Sequence, residues 1–132
     1  MIVLDTHIWH WWINQIPGRL TPNLIERIET ADRIGVSAIS CFEMAWLVRH
    51  RRIDLELSLD EWFSTVEASA TVEFLPVTSA IARQAVALPE HHKDPQDRLI
   101  IATALVNDAQ LISLDAQFPA YLELQGRLIG HE

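Results

Sequence analysis

The stretch HKDPQDRLIIATA, residues 92–104, joins two acidic residues to a long apolar run. Asp94 precedes Pro95, and proline suits the first position of a helix, so Asp94 is predicted to cap a helix over 95–107. Asp97 then falls in the first turn, where its charge complements the helix dipole. Because one cap already satisfies this helix start, the second acid is a candidate for chemistry as well as for folding.

Length and composition indicate a protein large enough for one hydrophobic core. The chain has 132 residues, of which 49% are hydrophobic and 21% charged, as in ordinary globular domains. A single cysteine excludes an intramolecular disulfide framework. No apolar run approaches the ~18 residues of a membrane span, and the N-terminus lacks the basic segment of a signal peptide. We expect one domain over 1–132, cytoplasmic and without membrane association.

The net charge argues at first against nucleic-acid binding. The chain has 18 acidic residues against 10 lysines and arginines, which gives a formal net charge of -8. Proteins that bind phosphate backbones normally present a positive surface. The objection weakens if several acids gather in one site where a metal ion neutralises them.

In the rest of the chain, on both sides of this helix, short apolar runs alternate with amphipathic segments. The predicted strands are 2–4, 35–39, 72–77, 110–114 and 128–129. The predicted helices are 6–15, one opening at Thr21-Pro22, one beginning at Ser40, then 59–69, 79–88 and 95–107. The strand cores are almost continuously apolar, as expected when both faces are buried. Strands separated by helical crossovers predict an α/β fold: a mainly parallel central sheet between two helical layers.

Four acids are predicted to meet at one edge of this sheet: Asp5, Glu43, Asp97 and Asp115. Two of them end strands, and two lie in the first turns of helices. Ligands of open parallel sheets bind outside the carboxyl ends of the strands. We therefore expect these carboxylates to converge although they are far apart in the sequence.

Each acid also has a purely structural interpretation. Asp5 can end a strand, Asp97 can complement a dipole, and Asp115 can begin a turn. Glu43 can complete a capping box with Ser40, and Thr6 can cap the first helix. Their shared position at one sheet edge favours a metal site over four separate structural roles.

Crowded carboxylates favour a hard divalent cation. Without a cation, their repulsion raises the pKa of at least one of them. Mg²⁺ accepts carboxylates together with waters and substrate phosphates, and Mn²⁺ accepts the same ligands. Zinc is disfavoured because the pattern places no cysteine and no suitably spaced pair of histidines with the acids. His91 and His92 are adjacent, and adjacent residues on a loop seldom bind the same ion. The pattern indicates metal-dependent hydrolysis of a phosphodiester.

Four ordered motifs resemble those of PIN-domain ribonucleases, most closely the VapC-like toxins of bacterial toxin–antitoxin pairs. The motifs are LDTH at 4–7, SCFE at 40–43, KDPQDRLIIATA at 93–104 and LISLD at 111–115. The resemblance extends from residue 1 to about residue 121. It implies a PIN-like fold and a Mg²⁺- or Mn²⁺-dependent endoribonuclease that cleaves RNA. It also implies a small antitoxin as partner, a homodimer, and a higher assembly with the antitoxin.

The resemblance also implies roles for particular residues. Its catalytic metal site consists of Asp5, Glu43, Asp97 and, as a more variable fourth acid, Asp115. Thr6 and Ser113 match hydroxyl residues beside the first and fourth acids and are candidate supporting residues. Asp94 matches a position common in the toxin subgroup, and we keep it as a helix cap.

Four arginines are candidate RNA contacts. Arg49, Arg51 and Arg52 form a basic run at a predicted helix end, where they suit either the dipole or an RNA backbone. Arg98 follows Asp97 directly and either pairs with an acid or touches RNA.

Two further features of the sequence have a structural and a functional interpretation. Trp9, Trp11 and Trp12 crowd one short helix, as in a partner surface or a large local core. Cys41 is interpreted as a small core residue because no base is placed beside it.

Two other functions compete with a nuclease. A receiver-type signalling domain has a similar length and an acidic Mg²⁺ pocket, but it needs an acidic pair after the first strand and a lysine after the last main strand. Here Thr6 follows Asp5, and Lys93 is the only lysine. An inactive PIN-like binding module is the other competitor, and the intact acid set argues against it. The identity of the RNA stays open, because loops and surface shape would determine it.

Overall fold

A computed structural model describes all 132 residues, with five parallel strands, six α-helices and two short 3₁₀ helices, Phe118–Ala120 and Leu122–Leu124. The strands are β1 (Ile2–Leu4), β2 (Ile34–Ser37), β3 (Glu73–Leu75), β4 (Gln110–Ile112) and β5 (Leu128–Ile129). The helices are α1 (Thr6–Ile13), α2 (Pro22–Glu29), α3 (Ala38–Arg49), α4 (Leu59–Ser69), α5 (Ser79–Ala87) and α6 (Pro95–Val106). The predicted α/β class with a parallel sheet is confirmed. None of the helices has the length and hydropathy that crossing a bilayer requires.

The strand order is β3-β2-β1-β4-β5, with β1 at the centre. Leu4, the last residue of β1, is in register with Val36 of β2 and Ile112 of β4. The chain builds β2 and β3 on one side of β1 and then returns to build β4 and β5 on the other. The strand order therefore reverses between β1 and β4, and the crevice at their carboxyl ends is the usual ligand position in such sheets.

The sheet separates two hydrophobic layers. In β1, Ile2 and Leu4 face the layer built by α1, α2 and α4, whereas Val3 faces the layer that contains α6. This alternation is the period of two that a strand imposes on its side chains. All three side chains are buried, and burying each aliphatic side chain contributes about 1.5–3 kcal/mol to folding. The central strand is therefore fixed from both sides, and with it the position of Asp5.

The tryptophans of α1 divide between core and surface. Trp9 is completely buried, with its ring centroid 5.3 Å from that of Trp62 and 5.7 Å from that of Phe74. Trp11 and Trp12 are half-buried. The local-core interpretation therefore holds for Trp9.

The starts of two helices differ from the prediction. Ser37 caps α3, and its hydroxyl accepts a hydrogen bond from the Ile39 amide at 3.2 Å, so the helix begins two residues before Ser40. The predicted capping box of Ser40 and Glu43 is therefore wrong. Asp5, not Thr6, caps α1. The Thr6 hydroxyl instead donates to the Ser40 hydroxyl at 2.9 Å, a buried contact that ties the start of α1 to α3.

Candidate active site

A cavity of about 300 Å³ lies at the carboxyl edge of the sheet. The four predicted acids all line it, together with Asp94 and neighbouring side chains: Asp5, Thr6, His7, Trp11, Glu43, Asp94, Asp97, Leu114 and Asp115. Parallel strands and the helices that follow them bring these distant residues to one place, as expected from the sequence.

Asp5 occupies the junction between β1 and α1. Its Oδ1 accepts a hydrogen bond from the Ile8 amide at 2.9 Å, which caps α1. Burial raises the pKa of Asp5 to about 6, and the negative charge of Glu43 acts in the same direction. The Ser113 hydroxyl, the Ile8 amide and His7 lower the pKa but do not offset burial. Asp5 is therefore a structural cap and, at the same time, a carboxylate whose charged form is disfavoured by burial.

Glu43 has a carboxylate oxygen without a partner. Its Oε1 is buried, and no protein group donates a hydrogen bond to it. Leaving a buried polar group unsatisfied costs about 1–3 kcal/mol, and more for a charged group. Because Ser37 performs the capping of α3, the Glu43 carboxylate has no role in starting its helix. The structure gives this side chain a position in the cavity and no structural function.

Asp97 lies in the first turn of α6, beside the residue that caps this helix. Asp94 performs the capping, since its carboxylate accepts from the Gln96 amide at 2.9 Å. Burial, together with the charges of Asp94 and Glu43, raises the pKa of Asp97 to about 6. A hydrogen bond from His92 lowers the pKa but leaves it elevated.

His92 is a member of the site that the sequence did not reveal. Its Nε2 lies 2.5 Å from Oδ2 of Asp97 and 3.9 Å from Oδ2 of Asp115. His92, Asp94 and Asp97 each bring one ligand-type atom to within 4.8 Å of the others, and the remaining acids form no comparably close group. The one available signal was its position five residues before Asp97 in the opening stretch. Nothing in that stretch predicts that the loop folds back onto the helix.

Asp115 and Ser113 form a short turn after β4. The Ser113 hydroxyl accepts from the Asp115 amide at 3.1 Å, and the Asp115 carboxylate accepts from the Gln117 amide at 2.8 Å. The turn interpretation of Asp115 and its position in the cavity are therefore compatible. Ser113 is fully buried and also acts on the pKa of Asp5, so it links the ends of β1 and β4.

Arg98 points away from the cavity that its neighbour Asp97 lines. Its two terminal nitrogens donate to four backbone carbonyls at the end of α5 and in the loop that follows, those of Val86, Leu88, Pro89 and His92, at 2.7–3.2 Å. These four bonds occupy both terminal nitrogens and give Arg98 a structural role, and the structure adds no support to the prediction that it touches RNA. It holds the loop that carries His92.

The basic run lies at the end of α3. The side chains of Arg49, Arg51 and Arg52 are exposed and form neither ion pairs nor side-chain hydrogen bonds. Cys41 on the same helix is half-buried against the core, and burial raises the pKa of its thiol to about 11. A thiol that keeps its proton at neutral pH is a poor nucleophile, in agreement with its interpretation as a core residue.

The donor set of the cavity suits a hard divalent cation. Most of the available ligand atoms are carboxylate oxygens, with the His92 nitrogen beside them, and one oxygen, Glu43 Oε1, is buried without a partner. The raised pKa values of Asp5 and Asp97 reflect two negative charges that burial disfavours. A cation would relieve both problems, because it favours the ionised form of each acid. The residues present therefore fit such an ion.

Comparison with known proteins identifies the family of this chain. The PIN domain model matches residues 2–123. Ribonuclease VapC22 from Mycobacterium tuberculosis is 36% identical over 121 residues, which cover 91% of each chain. Among solved structures, VapBC2 from Rickettsia felis, bound to a DNA fragment from its promoter, has a TM-score of 0.70 at 18% identity over 100% of both chains. A toxin-antitoxin complex from Klebsiella pneumoniae has a TM-score of 0.68 at 19% identity, with 98% of this chain and 97% of that chain covered. These structures share the fold, and the family match over nearly the whole length shows that this chain belongs to the PIN-domain family.

Proposed function

We propose that residues 1–132 form a single nuclease domain, a metal-dependent endoribonuclease that uses Mg²⁺ or Mn²⁺. The observation that supports this most directly is the unpartnered Glu43 oxygen beside two carboxylates with raised pKa values. Similarity to a ribonuclease over 91% of the chain supports RNA as the substrate. Membership of the PIN-domain family does not support a receiver-type signalling function.

Asp5, Glu43 and Asp97 are the proposed metal ligands, with Asp115 as a fourth acid. A bound divalent cation would neutralise these carboxylates, polarise the scissile phosphate and lower the pKa of an attacking water. Asp5 and Asp115 follow β1 and β4, and Glu43 and Asp97 lie in α3 and α6, so the fold itself brings all four side chains to the cavity.

The chain's own residues hold the proposed ligands in place. The Ile8 amide fixes one oxygen of Asp5, and the capping of α6 by Asp94 orients the turn that carries Asp97. The hydrogen bond between Thr6 and Ser40 joins the residue after Asp5 to the first turn of α3. Such outer contacts typically change metal affinity or activity by about 10–100-fold when they are removed. We therefore propose Thr6 and Ser113 as supporting residues.

We further propose that the protein acts as the toxin of a toxin–antitoxin pair. The solved structures that share its fold include a complex described as a toxin–antitoxin complex, which supports a small protein inhibitor as partner. A homodimer, and a larger assembly with the antitoxin, belong to the same proposal. A short neighbouring reading frame whose product suppresses the growth effect of this chain would support the pairing.

The decisive experiment compares the purified chain with Asp5→Asn on total RNA in Mg²⁺, in Mn²⁺ and in EDTA. Asparagine caps helices as well as aspartate does, so this variant keeps the α1 cap and removes only the charge. We expect cleavage by the parent in either metal, none in EDTA, and at least about 100-fold less by the variant. Expression should arrest growth for the parent alone.

The control is Asp54→Asn, an exposed acid outside the cavity, which should cleave RNA like the parent. A folded parent that leaves RNA intact in both metals would favour the inactive PIN-like module. Equal cleavage by the parent and Asp5→Asn would exclude the proposed metal site.

A further inference from the structure

Three ring side chains follow one another along the exposed face of α3. Phe42, Trp46 and His50 are spaced by four residues, so they lie above one another on the helix surface, and we refer to them as the α3 ladder. The ring centroids of Phe42 and Trp46 are 6.5 Å apart with planes inclined by 18°, and those of Trp46 and His50 are 3.9 Å apart with planes inclined by 29°. The three rings therefore face one another in a stacked series.

Phe42 and Trp46 of the α3 ladder are exposed, whereas the other large aromatic residues of the chain are buried or half-buried. Phe42 is 56% exposed and Trp46 is 51% exposed, whereas Trp9 and Trp62 lie in the core. A hydrogen bond between Nδ1 of His50 and the Trp46 carbonyl, 2.9 Å long, holds the histidine against the tryptophan. Exposed aromatic area of this kind usually marks a binding surface.

The α3 ladder runs from the acidic cavity to the basic run. Phe42 directly precedes Glu43, which lines the cavity, and His50 lies between Arg49 and Arg51. Glu43 and Arg49 are six residues apart, which corresponds to roughly 9 Å along the helix axis. The α3 ladder thus lies along the helix between the residue that lines the cavity and the three free cations that end or follow α3.

The charge of this region is the reverse of the charge of the whole chain. Three of the ten cationic residues lie within residues 49–52, and Glu43 is the only acid between 38 and 52, in a protein of net charge -8. Most other cations are engaged: Arg27, Arg33 and Arg127 form ion pairs, and Arg98 binds carbonyls. The guanidinium groups beside the ladder are free for a negatively charged ligand.

Arg51 occupies a backbone position that normally favours glycine. Its φ is 58°, in the left-handed region, and the amides of Arg51 and Arg52 donate to the carbonyls of Val48 and Leu47, which closes the C-terminal end of α3. This is the arrangement in which glycine is usual, and a side chain there costs roughly 1–2 kcal/mol. The chain thus retains a cation at a position where glycine would be more stable.

We propose that the α3 ladder and the basic run bind a single-stranded segment of RNA next to the cleavage site, with unpaired bases stacked on Phe42 and Trp46 and the phosphates near the arginines. This rests on the proposed function and adds to it the surface that would hold the RNA. Aromatic stacking combined with a positive track is how proteins hold single strands without reading their sequence. Aromatic and arginine side chains also mark protein interfaces, and the sedimentation measurement described below distinguishes that occupant from RNA.

The test measures binding separately from cleavage. In the Asp5→Asn background with Mg²⁺, fluorescence anisotropy gives the affinity for an eight-nucleotide single-stranded RNA, for the same strand without bases, and for a duplex of equal length. A gel confirms that the RNA stays intact. We expect the base-containing single strand to bind most tightly.

Four added substitutions separate stacking from charge. Trp46→Ala should weaken binding of the base-containing strand by about 5- to 150-fold and leave the abasic strand unchanged, whereas Trp46→Phe should retain most of the affinity. Arg51→Gly should weaken binding of both strands and reduce the salt slope by about 0.7, without lowering the melting temperature. Leu122→Ala, a change at another exposed apolar residue, should alter nothing.

Several outcomes would overturn the inference. One is that Trp46→Ala binds the single strand as tightly as its parent does. Another is that it loses the same affinity for the base-containing and the abasic strand. The third is that the parent does not bind the single strand at all. A change of sedimentation in Trp46→Ala with RNA affinity intact would identify the surface as a protein interface instead. If the predicted binding pattern holds while the wild-type chain cleaves no RNA, the nuclease proposal fails and the binding surface stands.

Discussion

His92 and Asp97 are joined by a hydrogen bond of 2.5 Å between Nε2 and Oδ2, which ties a loop to the first turn of α6. The histidine is held by its backbone as well. Its amide donates to the Tyr121 hydroxyl at 3.0 Å, and its carbonyl accepts from Arg98 at 3.0 Å. The loop therefore presents a fixed imidazole to a carboxylate that we propose as a metal ligand.

Replacing His92 with alanine should reduce RNA cleavage by about 10–100-fold. It should also move the rising limb of the pH–activity profile to higher pH. The His92 hydrogen bond and charge lower the pKa of Asp97, so without them this acid loses its proton only at a higher pH. The measurement is kcat/KM between pH 5 and 9, with His131→Ala, an exposed histidine outside the cavity, as control. A lower rate with an unshifted profile would contradict this role for His92.

Replacing Arg98 with alanine should lower the free energy of unfolding by about 2–4 kcal/mol, because four carbonyls lose a charged donor. Arg98→Lys should rescue only part of this loss, since one ammonium cannot reach all four oxygens. Urea unfolding followed by circular dichroism gives the values.

The matched control for Arg98 is Arg83→Ala. Arg83 is exposed on α5 and makes one long contact, 3.4 Å to the Ser79 carbonyl. Its loss should change the unfolding free energy by no more than about 0.5 kcal/mol. Equal effects of the two substitutions would show that the carbonyl contacts of Arg98 are not what stabilises the loop.

Local signals predicted much of this structure from the sequence. The cap of α2 at Thr21 and the cap of α6 at Asp94 occur as expected, and α4 has the predicted bounds. Each of these features depends on residues within one helical turn. The gathering of four acids followed from a rule of topology, because parallel strands bring their carboxyl ends to one edge.

The features that the sequence did not reveal depend on contacts between distant residues. Ser37 and Ser40 are equally suitable caps by local pattern, and the buried bond between Ser40 and Thr6 forms only in the folded protein. The predicted strands 72–77 and 110–114 were too long, because apolar runs continue past the last residue that pairs with a neighbouring strand. The roles of His92 and Arg98 depend on how one loop closes, which local propensity does not encode.

Cys41 should react slowly with alkylating reagents. Burial and the nearby charge of Glu67 raise the pKa of its thiol to about 11, so little thiolate exists at pH 8. Compared with an ordinary cysteine, the rate with iodoacetamide should be lower by about two orders of magnitude. Mass spectrometry of the native protein gives this rate, and the protein unfolded in guanidinium chloride is the control. Rapid alkylation of the native protein would contradict the structural interpretation of this thiol.

Asp5 should destabilise the metal-free protein at neutral pH. Its pKa is raised by burial from 3.8 to about 6, so the folded state holds the proton more tightly than the unfolded state. The resulting stabilisation is fully present below pH 3.8 and is lost as the pH rises through 6. Asp5→Asn keeps a capping side chain and removes this titration. In EDTA, urea unfolding should therefore show the variant to be more stable than the parent by about 1–3 kcal/mol at pH 7.5, and nearly equal to it at pH 4. A parent that is the more stable of the two at pH 7.5 without metal would show that the Asp5 carboxylate already has its compensating partner within the protein.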